Sequence, residues 1–423
     1  MEKQSLHRKA NIVLCACALL NLSIGALYAW SVLQSRLTAP LADGGFGWTV
    51  SQAGLPFSIA IITFATAMLI GGRIQDKVGP RWVITAGSLL LGIGLLLSGL
   101  VGNSVIGIII CYGVIAATGM GFCYGCATAP ALKWFSPSKK GLVSGIIVGG
   151  FGLSAVGMAP LVASLLNNFG IAQTFMILGV SNLLISTTIA QFIKNPPADY
   201  TPKAPSKVKN DKAPALTPAI NFEWNEMLKT KRFYMIFIMF ISASSVGLMI
   251  IGSISRIAIS QAGITDSAIL AGLVSFLALT NTLGRVAGGI MSDKIGRINS
   301  LFVIFVLQMI NMAAFTFYQS LPTLILGIII VGFCFGTLLS VMPALCADQY
   351  GLKNFGLNYG IMFFAWGLSG VMTPVIANFL YDITGTFNIT YIICSAMMAA
   401  MILVNFMLKK DIEGSKSHEA MLN

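Results

Sequence analysis

Charged residues are scarce in this chain of 423 residues, where they make up only 9% of the composition. Soluble domains carry roughly a quarter charged residues, so a soluble surface of this size cannot be built from so few. Long apolar runs take their place: the AVILMFWYC set accounts for 56% of the residues, and mean hydropathy is +0.84. The composition therefore excludes a soluble or disordered chain and predicts a polytopic membrane protein.

Groups suited to catalysis are missing from the apolar runs. The two histidines, His7 and His418, lie near the chain ends, and all 14 acidic residues fall outside the runs or at their ends. We therefore predict that the protein is not an enzyme and holds neither a cofactor nor a metal. The eight cysteines lie within apolar runs or at their edges, which favours buried small hydrophobes over disulfides.

Twelve apolar runs are long enough to cross the hydrocarbon core. In chain order, spans 1 to 12 are predicted at residues 11–33, 53–72, 82–101, 105–128, 142–165, 172–193, 233–254, 269–290, 300–318, 321–345, 357–379 and 388–408. Residues 194–232 are rich in proline and lysine and are predicted to form a solvated cytoplasmic linker. The linker separates an N-terminal six-helix bundle at 1–193 from a C-terminal bundle at 233–410, and a cytoplasmic tail follows at 411–423.

The distribution of basic residues explains the net charge of +12. If both chain ends are cytoplasmic, then the tails, the even-numbered connections and the linker hold 23 of the 26 Lys and Arg residues. This positive-inside bias predicts an N-in, C-in protein of the cytoplasmic (inner) cell membrane. The lysines of the linker then face an anionic leaflet, and we predict no nucleic-acid partner.

A loop motif after span 2 recurs 217 positions later, after span 8. The motif comprises Gly72, Asp76, Lys77 and Gly79 in the first half, and Gly289, Asp293, Lys294, Gly296 and Arg297 in the second. The triplet Gly152-Leu153-Ser154 similarly recurs as Gly367-Leu368-Ser369. Such matches at nearly one offset indicate a parallel duplication, which in transporters places the substrate site at the midplane between the repeats.

The repeated loop, the twelve spans and the central linker resemble the major facilitator superfamily across essentially the whole chain. The resemblance implies an all-α membrane fold of two pseudo-symmetric six-helix bundles. It also implies that Asp76 faces the start of span 11 near Gly356, and that Asp293 faces the start of span 5 near Gly141. Both pairs would act as a conformational latch that closes the cytoplasmic side; the alternative is that the loop charges only set the topology.

Arg285, in span 8, is the one charge predicted within a span. An arginine at the centre of a membrane helix costs about 2.5–3.5 kcal/mol on insertion scales, and no interior carboxylate is available to pair with it. We therefore expect a small carboxylate anion to be its counter-ion, held through two parallel hydrogen bonds. The alternative is that Arg285 snorkels to the interface, but Asn281 one turn earlier gives it a polar companion.

Aromatic residues in the spans supply further candidates for the substrate site. Tyr28 and Tyr124 carry hydroxyls that need partners in hydrocarbon and are expected to point inward. Phe335, Phe364 and Trp366 lie in the opposite half, where membrane packing competes with a role in the site.

A narrower resemblance rests on Tyr28-Ala29-Trp30-Ser31, on Lys133-Trp134-Phe135 followed by Lys140-Gly141-Leu142, on Asn281-x-x-Gly284-Arg285 in span 8, and on Asn358-Tyr359-Gly360 with Ala365-Trp366-Gly367. These segments resemble the oxalate:formate antiporter branch, which is close to the bacterial lactate and pyruvate carriers and more distantly related to monocarboxylate transporters. The resemblance implies that Arg285 binds a carboxylate and that Tyr28, Tyr124 and Asn281 line the pocket. Oxalate-specialised members carry a lysine where this chain has Trp366, so a monocarboxylate fits better here than a dicarboxylate.

Coupling and rival functions remain open at this point. Proton-coupled animal carriers have an aspartate where this chain has Asn281, so either a proton or a counter-anion could accompany the substrate. An oxalate:formate-type antiporter is the alternative transporter, and a facilitator for another small organic solute, such as a drug or a sugar, is less favoured. A channel would need a polar stripe or a ring of like charge, which one arginine does not supply.

Overall fold

The structure, a computed structural model, describes residues 2–25, 30–197, 200 and 221–422. All regular secondary structure in these ranges is helical. The helices that correspond to the predicted spans are Glu2–Ile24, Trp30–Thr38, Val50–Val78, Pro80–Leu100, Val105–Trp134, Lys140–Ala190, Lys231–Ala262, Ser267–Ile295, Arg297–Ala314, Leu321–Tyr350, Phe355–Thr384 and Asn388–Leu422.

Within the described ranges, eleven helices are long and apolar enough to cross a membrane, and they match predicted spans 2 to 12. Span 1 corresponds to Glu2–Ile24 and Trp30–Thr38, and residues 26–29 between them lie outside the described ranges. The predicted all-helical membrane fold is therefore confirmed. Several helices extend beyond the predicted spans, and the final helix continues through the predicted tail to Leu422.

Spans 5 and 6 form one helical stretch, Lys140–Ala190, that is broken at Gly170. The backbone of Gly170 has φ 76° and ψ −179°, a conformation that is essentially restricted to glycine. The break falls between the predicted spans at 142–165 and 172–193. Span 4 contains a wider irregularity, since Ile109–Ala116 is a π-helix.

Helix pairing repeats between the two halves. Span 1 packs on span 5 as span 7 packs on span 11, span 2 on span 4 as span 8 on span 10, and span 3 on span 6 as span 9 on span 12. The halves meet mainly where span 5 packs on span 8 and span 2 on span 11. This pairing is the arrangement expected from a parallel duplication.

The two ends of the predicted linker form hydrogen bonds with the helices, while most of their described residues are exposed. The Trp134 indole N–H donates to the Lys194 carbonyl at 2.8 Å, and the Tyr200 hydroxyl donates to the Trp134 carbonyl at 3.1 Å. At the other end, the side-chain amides of Asn354 and Asn358 both donate to the carbonyl of Phe222. Residues 198, 199 and 201–220 lie outside the described ranges.

We predict that Gly170→Ala destabilises the protein through backbone strain alone, because a methyl group at this position would meet no atom within 4 Å. Such a conformation costs a non-glycine residue about 1–3 kcal/mol, so the apparent melting temperature in detergent should fall by several degrees. Gly157→Ala is the matched control, since Gly157 is also without a neighbour within 4 Å but has an ordinary helical backbone. Equal melting temperatures for the two variants would contradict the prediction.

Candidate functional site

Arg285 lies between the two halves and is nearly enclosed, with 1% of its surface exposed. Its Nε donates a 3.0 Å hydrogen bond to Oδ1 of Asn281, one turn earlier in span 8. Its Nη1 donates a 2.5 Å hydrogen bond to the carbonyl of Val148 in span 5. The guanidinium therefore bridges the N-terminal and C-terminal halves directly, and it does not snorkel to the membrane surface.

Three glycines bring backbones close enough to enclose Arg285. A methyl group at Gly336 would lie 2.0 Å from the Asn281 carbonyl oxygen and 2.8 Å from the Arg285 backbone nitrogen. One at Gly145 would lie 2.4 Å from the Arg285 carbonyl oxygen, and one at Gly152 would lie 3.3 Å from the guanidinium carbon. Spans 5 and 10 thus approach span 8 on two sides because these positions lack side chains.

The positive charge of Arg285 has no ion-pair partner within the described residues, whose salt bridges all lie elsewhere. A guanidinium has five N–H donors, and the bonds to Asn281 and Val148 use two of them. Both acceptors are uncharged, so they solvate the cation without neutralising it. The arrangement can accept an anion that uses the remaining donors.

A cluster of buried aromatic rings from both halves lies beside Arg285. Tyr124 of span 4 packs edge-on against Phe151 of span 5, with ring centroids 5.0 Å apart, and Phe151 precedes the glycine that touches the guanidinium. Tyr124 also meets Phe363 of span 11 at 5.5 Å, and Phe363 stacks on Trp366 at 5.1 Å. Phe64 of span 2 contacts several of these rings, including Trp366 at 6.0 Å.

Two buried hydrogen-bond donors of span 11 have no partner within the described residues. They are the hydroxyl of Tyr359 and the indole N–H of Trp366, each next to Phe363. Tyr359 is also close enough to Arg285 and Tyr124 to interact with them electrostatically. A buried donor left without an acceptor costs about 1–3 kcal/mol, so both groups are free to bind a ligand that carries oxygen acceptors.

The other aromatic residues predicted for the site are distributed differently. Phe335 is buried and packs against Gly247 of span 7, where an added methyl group would lie 2.3 Å from its ring. Phe364 is half-buried and has no ring contact with the described aromatic residues. The neighbouring Phe363 is the residue that contacts Tyr124 and Trp366. Tyr28 lies outside the described ranges.

The two motif carboxylates bind the starts of helices in the opposite half. Asp76 accepts hydrogen bonds from the backbone N–H groups of Gly356 (3.1 Å) and Leu357 (3.0 Å) at the start of span 11. Asp293 accepts from Gly141 (2.9 Å) and Leu142 (2.7 Å) at the start of span 5. These are the contacts that the family resemblance implies, and each places a carboxylate on the positive end of a helix.

The glycines of the motif permit this close approach. A methyl group at Gly72 would lie 2.1 Å from the Gly356 carbonyl oxygen, and one at Gly289 would lie 2.2 Å from the Gly141 carbonyl oxygen. Gly79, with a φ of 94°, ends the helix of span 2 and separates it from the helix of span 3. The motif lysines, Lys77 and Lys294, are exposed and make no ion pair with any described residue.

The second latch carries an additional charge network that the sequence analysis missed. Arg297 donates to Asp293 at 2.5 Å and to Asp348 of span 10 at 3.1 Å, and Asp348 in turn pairs with Lys140 of span 5 at 2.8 Å. This network joins both halves through partly buried charges. Asp76 has no such ion pair within the described part of the chain, so the two latches are chemically unequal.

Close packing between spans 5 and 8 extends from the latch to Arg285. Along span 5, a methyl group would lie 2.4 Å from its nearest neighbour in span 8 at Gly141 and at Gly145, 3.4 Å away at Gly149 and 2.7 Å away at Gly152. The two halves are therefore packed tightly together both at the latch end and at the depth of Arg285.

Comparison with known proteins identifies this architecture. The family model of the Major Facilitator Superfamily matches residues 12–321 and 309–421. The oxalate:formate antiporter of Oxalobacter formigenes is 28% identical over 343 residues, covering 81% of this chain and 77% of that protein. Human monocarboxylate transporter 2 is 24% identical over 415 residues, covering 85% of each. The crystal structure of the human organic anion transporter MFSD10 superposes with a TM-score of 0.70 at 16% identity, covering 95% of this chain and 99% of that one.

We predict that Asp293→Asn opens the latch end more often, because the variant loses the ionic hydrogen bonds to span 5 and to Arg297. A loss of about 1.4 kcal/mol, which is within the range for one charged hydrogen bond, would raise the open population about tenfold. The measurement is the rate of thiol labelling of Ser144→Cys, a buried position of span 5, with the exposed Cys15 replaced by serine.

Asp382→Asn serves as the control, since Asp382 is exposed at the other end of span 11. Labelling should stay unchanged in that variant. If Asp293→Asn also leaves the labelling rate unchanged, its carboxylate does not hold the two halves together.

Proposed function

The chain belongs to the major facilitator superfamily, whose members are transporters rather than enzymes, and on that premise we propose that it carries a small monocarboxylate anion. The proposed substrates are of the lactate, pyruvate or formate type. The observation that carries the proposal is the buried charge of Arg285, which has two neutral acceptors and no carboxylate partner within the described residues. The names of two relatives, an oxalate:formate antiporter and a monocarboxylate transporter, point to the same chemistry.

Arg285 is proposed to bind the substrate carboxylate through two parallel N–H···O bonds. This planar geometry is specific to a guanidinium, and a lysine ammonium does not reproduce it. Asn281 holds Nε and thereby fixes the orientation of the side chain. Tyr124 and the rings beside it are proposed to close the site against water, with Tyr28 contributing as the family resemblance implies.

The opposite wall of the site favours a single negative charge. Trp366 stands where oxalate-specialised relatives carry a lysine, so Arg285 is the single cation we assign to the site. The unpartnered donors of Trp366 and Tyr359 can still bind a neutral oxygen of the substrate. A monocarboxylate that also carries a hydroxyl or keto oxygen uses all of these groups without leaving a second charge uncompensated.

Transport is proposed to proceed by alternating access, in which the bundles at 1–193 and 233–410 rock about the site. We place the latch end at the cytoplasm of the inner membrane, with both chain ends on that side, because 23 of the 26 basic residues then lie inside. In this orientation the structure is closed towards the cytoplasm. Opening towards the cytoplasm requires the carboxylates of Asp76 and Asp293 to leave the helix starts that they bind.

The cost of moving a charged substrate across the membrane potential limits which ions can be coupled to its transport. Moving one negative charge inward against 100 mV costs about 2.3 kcal/mol, which corresponds to a nearly fiftyfold gradient. Uptake therefore requires either a co-transported proton or exchange for another anion. The alternative function, oxalate:formate-type antiport, satisfies the same constraint through exchange.

The function can be tested by uptake of labelled lactate, pyruvate, formate and oxalate into proteoliposomes, with and without a pH gradient. We predict that the wild type transports a monocarboxylate with saturation and that Arg285→Lys reduces the rate at least tenfold. Arg256→Lys, a conservative change at the predicted outer surface, should leave the rate unchanged. Wild-type transport by Arg285→Lys would rule out the assigned site, and preference for oxalate over every monocarboxylate would favour the alternative.

We predict that Trp366→Lys shifts specificity towards dicarboxylates, because a second cation compensates the second carboxylate. The readout is the ratio of oxalate to lactate uptake, which should rise at least tenfold over the wild type. Trp366→Phe is the matched control: it removes the indole N–H without adding charge and should not raise the ratio. An equal ratio for the lysine and phenylalanine variants would contradict the role given to this position.

A further inference from the structure

A groove of about 560 Å³ lies on the protein surface, between span 1 and the end of span 6. One wall is a face of span 1 that includes Arg8, Asn11, Cys15 and Leu19, and the other wall is formed by Ile189 and Phe192. From Arg8 to Leu19 the helix rises about 16 Å. The groove therefore runs from the membrane interface into the hydrocarbon region.

The concave shape follows from the sizes of the side chains. Small residues, Cys15 and Ala16, form the floor on span 1, while Leu19 and Phe192 stand at the sides with about half of their surface exposed. Cys15 is the exposed one of the eight cysteines. An apolar groove of this kind, open towards the lipid, is suited to an acyl chain.

The polar end of the groove is positively charged. Arg8 is exposed there and forms no ion pair with any described residue. Lys194 follows Phe192 by two residues and is also exposed, and Arg81 reaches the same end of span 6 through its hydrogen bond to Gln191. Basic pockets between helices on the cytoplasmic side are suited to anionic lipid headgroups.

We propose that this groove is a binding site for one anionic phospholipid, whose phosphate pairs with Arg8 and whose acyl chain lies along Cys15 and Leu19. The site differs from an ordinary lipid contact because it recognises both ends of the same lipid. Its charged end is complementary to the headgroup, and its apolar end holds the acyl chain. Arg285 is not among the residues that line the groove, and the proposed lipid site is separate from the proposed substrate site.

The experiment compares nanodiscs of phosphatidylglycerol and phosphatidylcholine that contain the full chain. Native mass spectrometry measures the lipid that the protein retains after release from the disc. The rate at which a maleimide labels Cys15 shows whether bound lipid covers the groove. One cation at a membrane surface contributes about 1 kcal/mol, so phosphatidylglycerol should be retained roughly fivefold better and should slow labelling by a similar factor.

Two variants and one control decide the outcome. Arg8→Ala should abolish the preference for phosphatidylglycerol, and Cys15→Trp should fill the groove and remove the retained lipid even with Arg8 present. Lys9→Ala, a neighbouring exposed cation that does not line the groove, should leave both readouts unchanged. Equal retention of the two lipids by the wild type, or an equal effect of Lys9→Ala and Arg8→Ala, would overturn the proposal.

Discussion

The structure depends on keeping one positive charge, that of Arg285, in a region that water does not reach. A charged side chain at this depth is costly unless nearby groups replace its hydration. The protein supplies an amide oxygen from its own helix and a backbone carbonyl from span 5, and it removes side chains at Gly145, Gly152 and Gly336 so that both can approach. Since one of these acceptors belongs to each half, the interior charge also holds the two bundles together.

A second constraint acts at the latch end, where each bundle presents a carboxylate to a helix start of the other. These bonds are ionic but lie near the surface, so they are strong enough to select one state and weak enough to break. The duplication made two latches, yet they have diverged. Asp293 is joined to Arg297, Asp348 and Lys140, whereas Asp76 relies on two backbone N–H groups of span 11. Under the proposed alternating access, rocking would therefore disrupt unequal sets of interactions on the two sides of the pseudo-symmetry axis.

Sequence patterns predicted those features that depend on composition or repetition. Hydropathy located the spans, and the absence of any other charge within a span singled out Arg285. The family resemblance, which rests on the repeated motif, implied the helix starts that Asp76 and Asp293 face. Other features could not be read from the sequence. Phe363 and Phe364 are adjacent, and only the packing of span 11 decides which of them meets Tyr124. Arg285 donates to the backbone carbonyl of Val148, and any residue at that position would provide such a carbonyl. The linker ends likewise accept hydrogen bonds through the backbone carbonyls of Lys194 and Phe222.

Under the proposed alternating access, the aromatic cluster allows the site to close and reopen around a charge. Its rings come from spans 2, 4 and 5 on one side and span 11 on the other, so relative motion of the bundles must slide ring on ring. Ring contacts depend weakly on direction compared with hydrogen bonds, and they can re-form in a second arrangement at little cost. The charge of Arg285 has no such freedom, because its neutral acceptors Asn281 and Val148 lie in different halves. Under the proposed function, the anion binds the remaining donors of Arg285 and neutralises the guanidinium, so that the loaded carrier crosses more readily than the empty one.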